Sequence, residues 1–127
     1  MDKLALVKAN IERVAALCRA FNAEDFDAVS RMYAAEVRGY RPEIAESGND
    51  VKFRKFENAI YIEHLKKLRE SGTITIVRTS RSCDLVVVDV IYNGDGSRGI
   101  GTFGFNPDGL IDFVFLRRVD EEQASAA

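Results

Sequence analysis

Ala20-Phe21-Asn22-Ala23-Glu24-Asp25-Phe26-Asp27-Ala28-Val29-Ser30-Arg31-Met32-Tyr33 is the stretch that decides the fold. Upstream of it, Leu4, Val7, Ile11, Val14, Cys18 and Phe21 recur at steps of three and four, which draws one apolar stripe along a helix. The stripe stops at Asn22. It restarts with Phe26, Val29, Met32 and Tyr33, and Asp25 is placed to cap the new helix. Two short amphipathic helices therefore meet across the Asn22–Asp25 break.

Outward from that break, residues 36–41 predict a short strand that Pro42 ends or bends. Residues 42–50 are polar and contain Gly48, a surface loop that could act as a lid. A third helix is expected from about Val51 to Ser71, capped by Asn49 or Asp50 and closed at Gly72. Lys66, Lys67 and Arg69 suit its negative end. From Thr73 the apolar period switches to two. Strands are expected at about 73–82, 85–93, 98–106 and 110–119, separated by Cys83-Asp84, Asn93-Gly94-Asp95-Gly96 and Pro107-Asp108-Gly109. No connection is long enough for a crossover helix, so the sheet is expected to be largely antiparallel. The order reads as α+β in a single domain, 1–119, with a polar tail at 120–127 expected to be disordered.

Composition narrows the function classes. At 127 residues the chain can bury one sizeable core, and 46% apolar with 30% charged residues is ordinary for a globular protein. A net charge of −2 argues against nucleic acid or an anionic membrane as partner, because there is no basic excess to neutralise phosphates. Cys18 and Cys83 form no C-x-x-C pair and His64 is the single histidine, so no metal and no cofactor is expected. Reduced cysteines and the charges at Lys8, Glu12 and Arg13, which interrupt the first apolar run, point to a cytoplasmic protein without a signal peptide or membrane span. G-x-G-x-x-G, P-loop, G-x-S-x-G and H-E-x-x-H motifs are absent.

The helix–break–helix, the Asp-Gly hairpin and the strand spacing resemble the nuclear transport factor 2-like fold, in its SnoaL-like and ketosteroid-isomerase-like branch, over residues 4–119. The resemblance implies a curved antiparallel sheet wrapped as a cone around three helices, with a pocket inside. The ketosteroid isomerases place a carboxylate base immediately before a proline. The matching dipeptide here is Arg41-Pro42, and arginine cannot take a substrate proton. Their oxyanion-hole tyrosine and aspartic acid correspond to Leu17 and Gly101, so that mechanism is lost.

What the resemblance leaves in the pocket is Tyr33 and His64, with Asp112 sharing a strand face with Val114 and Leu116. These three are the candidate catalytic residues. Arg41 is the candidate for orienting a ligand, and Phe21, Val86, Val88, Val90, Tyr92, Phe103 and Phe105 are the expected apolar walls. Such a lining suits a small hydrophobic molecule. The structural alternatives are a core histidine, a packing tyrosine and a surface arginine. A strand shifted by one residue would turn Asp112 outward. Ile111, Phe113 and Phe115 alternate onto the opposite sheet face, which helices on one side cannot cover, so a homodimer through that face is expected. Two readings stay open: a small-molecule protein, with cofactor-independent acid–base catalysis or without it, and a non-catalytic interaction module.

Overall fold

The computed structural model describes residues 2–40 and 53–119. Asp2 caps α1 (Lys3–Asn22) by accepting the Ala5 amide at 2.8 Å. The helix closes through Glu24, whose φ of 60° turns the chain into the left-handed region, with the Asp25 amide donating to the Ala20 carbonyl at 2.9 Å. Asp25 then caps α2 (Phe26–Met32), its Oδ1 accepting the Ala28 amide at 3.2 Å. The break lies where the sequence places it. Val14, Leu17 and Phe21 of α1 are buried, whereas Leu4 is 61% exposed and Asn10 takes a buried place held to Arg13 Nη1 at 2.6 Å.

β1 (Tyr33–Tyr40) follows α2 directly and pairs antiparallel with β2 (Phe53–Glu57). Residues 53–57 are thus a strand, and α3 runs only from Asn58 to Glu70. Its N-cap is Glu57 rather than Asn49 or Asp50. The physical reason is local. Phe53-Arg54-Lys55-Phe56-Glu57 is charged enough to pass for helix, yet Val37 pairs with Phe56 and Arg38 with Lys55 across the ladder. Asn58 fixes the strand-to-helix corner. Its Nδ2 donates to the carbonyls of Ser30, Tyr33 and Ala34 at 2.9–3.2 Å, and its Oδ1 accepts from Ser30 Oγ at 2.8 Å.

The remaining strands are β3 (Ile74–Ser82), β4 (Leu85–Tyr92), β5 (Ser97–Phe105) and β6 (Ile111–Val119). The six strands lie in the order β2-β1-β6-β5-β4-β3. β1 runs parallel to β6 and every other pair is antiparallel, so the sheet is mixed. The helices pack on one face. Val86, Val88, Val90 and Tyr92 point into that core, as their period-two spacing requires.

One irregularity redirects two expected residues. Gly104 pairs with Phe113 but Phe105 pairs with Ile111, so Asp112 is the extra residue of a β-bulge. Simple alternation along β6 fails there. Ile111 points into the core at 1% exposure, not onto the outer face, and Asp112 is turned out of the core. Arg41, the residue 42–50 loop and the 120–127 tail lie outside the described residues. No helix among the described residues is long and apolar enough to cross a membrane.

Candidate functional site

The helices and the inner sheet face enclose a cavity of about 60 Å³. Val14, Leu17, Cys18 and Phe21 line it from α1, Tyr33 from β1, and Leu65 and Leu68 from α3. The sheet contributes Ile74, Ile76, Val88, Val90, Tyr92, Phe103 and Leu116. By a measure on which one water needs roughly 10–15 Å³, this space holds a molecule of only a few heavy atoms, and an apolar lining of this kind stays dry when empty. Gly101 makes the room. A Cβ there would lie 2.9 Å from Leu116 Cδ2, 3.1 Å from Phe103 Cε2 and 3.2 Å from Val88 Cγ2, three residues of the cavity wall.

Of the residues singled out in the sequence, Phe21, Tyr33, Val88, Val90, Tyr92 and Phe103 meet at this cavity. Val86 is buried and Phe105 half-buried against the core, but neither lines it. Asp112 lies elsewhere, in a depression of about 270 Å³ on the other face of the sheet, with Glu36, Arg38, Lys55 and Phe113. The bulge is the cause. His64 also misses the cavity. Tyr61, Leu65 and Leu68 define the inward stripe of α3, and His64 sits beside that stripe with its ring edge-on to Phe56 at 5.4 Å. Ile60 of the same helix is 50% exposed.

Tyr61 escaped the sequence reading as a site residue. Its ring is 5.1 Å from that of Tyr33, and the Tyr33 hydroxyl donates to the Tyr61 hydroxyl. Burial pushes both phenols above their ordinary value. Both are therefore neutral at ordinary pH. They can donate or accept hydrogen bonds, and a neutral phenol is a poor base. The signal that could have found Tyr61 is the 61–65–68 spacing.

Cys18 is half-buried, held by Asn22 Nδ2 at 3.7 Å, and its Sγ faces the Ile74 carbonyl at 3.5 Å. Burial raises its thiol above the usual range, so it is a packing thiol rather than a ready nucleophile. None of the fourteen cavity-lining residues among those described is a carboxylate or an imidazole. Among the described residues no group of three or more His, Cys, Asp or Glu side chains is arranged to hold a metal ion.

No family model and no curated protein matches the sequence. Solved structures do match. A SnoaL-like protein of unknown function from Burkholderia thailandensis superposes with a TM-score of 0.72 at 16% identity, over 89% of this chain and 97% of that one. An NTF2-like protein of unknown function from Cytophaga hutchinsonii gives a TM-score of 0.67 at 15% identity, over 87% and 89%. The chain has the nuclear transport factor 2-like fold. SalBIII, an epoxide hydrolase/cyclase-like enzyme of pyran ring formation in the polyether salinomycin, shares it with a TM-score of 0.67 at 22% identity, over 88% and 92%. Identities this low show the common fold, an α+β cone whose six-stranded sheet is not closed here.

Proposed function

We propose that this SnoaL-like protein binds a small hydrophobic molecule inside the cone. The observation that carries the reading is the apolar cavity itself, with the Tyr33 ring in one wall. A lining of valine, leucine and aromatic side chains recognises shape and apolar surface. Asp112 and His64 stand off the cavity, so this reading assigns neither of them a proton transfer. The epoxide hydrolase/cyclase-like, polyketide cyclase-like and epoxide hydrolase structures among the neighbours support a small-molecule reading.

The test uses xenon, the smallest apolar probe. Methyl resonances of Val88, Val90 and Leu116 are expected to shift saturably under xenon pressure, and those of surface Val77 are not. No saturable shift at the cavity methyls would refute the reading.

We also propose that the protein works as a homodimer through the outer sheet face. Phe113 and Phe115 belong to that face, together with Val87 and Ile100, which alternate with buried neighbours on their strands. Ile111 does not.

A further inference from the structure

Along β4, β5 and β6 the inward-facing positions run out of the apolar cavity into a second, polar hollow. Val90 is followed by Tyr92, Gly101 by Gly99, and Leu116 by Arg118, all on one sheet face. Leu68 and Tyr92 line both the cavity and this hollow of about 260 Å³, whose remaining lining is Ser71, Gly72, Thr73, Gly94, Asp95 and Arg118. The two spaces thus share a wall made of two side chains.

That wall is built for close approach. A Cβ at Gly99 would meet Tyr92 Cε2 at 2.5 Å and its hydroxyl at 3.0 Å, so the Tyr92 ring lies directly over the glycine. Arg118, paired with Gly99 across the ladder, places its guanidinium 4.7 Å from the centre of the same ring. Arg118 is oriented from one side. Its Nη1 donates to Asp95 Oδ2 at 2.7 Å and to Ser97 Oγ at 2.8 Å. Asp95 is in turn held by the Ser97 amide and hydroxyl at 2.9 and 2.6 Å. Among the described residues these hydrogen bonds engage Arg118 through Nη1, which leaves the Nε and Nη2 edge for a bidentate acceptor.

We propose that the hollow is the polar half of the binding site: the ligand is a small amphipathic carboxylate whose apolar end enters the cavity past Leu68 and Tyr92 and whose carboxylate pairs with Arg118. This rests on the cavity being a binding site. The open fork of Arg118 and the adjoining apolar chamber each select one part of such a molecule. The carboxylate takes the planar guanidinium, whose position is set by Asp95 and the Tyr92 ring. A short alkyl or aryl group fills the cavity. Tyr92 therefore has a positioning role, since it touches both the chamber and the cation.

The experiment compares hexanoate with the uncharged hexanamide on the full chain, following the Leu116 methyls and the Arg118 Nε–H resonance. Hexanoate is expected to shift both and to bind about tenfold or more tightly than hexanamide, the advantage of a charged hydrogen bond. Arg118→Gln is expected to abolish that preference, and Arg118→Lys, which keeps the charge but loses the fork, to retain only part of it. Should Arg118→Gln fail to fold, the lysine variant still tests the geometry. Equal affinity for the two probes, or a preference that survives both substitutions, overturns the carboxylate assignment. In that event a continuing response to xenon would leave the cavity reading standing. Loss of the xenon response as well would bring down both.

Discussion

At the scale of single residues, Gly101 and the Tyr33–Tyr61 pair decide what the cavity is. A methyl at Gly101 meets only side chains that border empty space, so those side chains can move into the cavity instead of straining the backbone. Gly101→Ala is therefore expected to weaken xenon binding severalfold while changing stability by less than about 1 kcal/mol, far below the usual overpacking range. Xenon titration and urea denaturation check the two halves separately. An unchanged xenon response would mean that the wall beside Gly101 does not bound the site.

The tyrosine pair makes a second prediction. Burial raises both phenols above 10, the value they take in the unfolded chain; Tyr61 raises Tyr33 further, whereas the hydrogen bond from Tyr33 lowers Tyr61. A raised folded value means that the stabilising contribution is complete below pH 10 and is lost as pH rises above it. Each phenol adds a slope of about 1.36 kcal/mol per pH unit in that window. Unfolding free energy measured from pH 9 to 11 should fall more steeply for the native chain than for a Tyr33→Phe, Tyr61→Phe variant. Parallel slopes would show that neither phenol is held neutral by the fold.

At the scale of elements, much was legible because the signals were periodic. The Asn22–Asp25 break, the three hairpins of the sheet and the inward face of β4 follow from spacing and turn chemistry alone. Two elements were not legible, for different reasons. β2 is an edge strand with Arg54 and Lys55 between two phenylalanines and Glu57 after them, and such charged residues are good helix formers whose pairing partner lies in another segment. The β6 bulge depends on a register between β5 and β6 that no single strand reports, and it moved Asp112 and Ile111 to opposite faces from those expected.

The junction that holds the elements together was hidden for the same reason. Asn22 ends α1, yet its side chain completes β3: its Oδ1 accepts the Ile74 amide at 2.9 Å and its Nδ2 donates to the Ile74 carbonyl at 2.8 Å. Its own carbonyl accepts Arg69 of α3 at 3.1 and 3.2 Å. Three elements meet at one residue. Asn22→Ala strips both partners from part-buried Ile74 and is expected to cost about 2–3 kcal/mol, while Asn22→Asp, which can no longer donate to the carbonyl, should lose about as much. Urea midpoints for the two variants test this, and a loss below about 0.5 kcal/mol in both would remove Asn22 from that role.

At the scale of the whole molecule, the helices cover one face of the sheet and the register lays out the other in rows. One row runs Ser80, Val87, Thr102, Phe115 across β3 to β6, and the next runs Arg78, Asp89, Ile100, Arg117. Beside them, Gly104, Phe113 and Arg38 make a third row, where a Cβ at Gly104 would lie 3.1 Å from Phe113 Cβ and 3.2 Å from Leu85 Cδ2. An apolar strip flanked by charges of both signs is self-complementary under a two-fold rotation: Asp89 of one copy can meet Arg78 or Arg117 of the other while the phenylalanines pack between them. A stable dimer needs roughly 800 Å² from each partner. Phe115→Glu places a charge at the middle of the strip and is expected to give a folded monomer, whereas Thr75→Glu, at the exposed margin of β3, should remain dimeric. Light scattering across a hundredfold range of protein concentration decides it. A native chain that stays monomeric throughout would overturn the dimer, and a dimer indifferent to Phe115→Glu would move the interface to another surface.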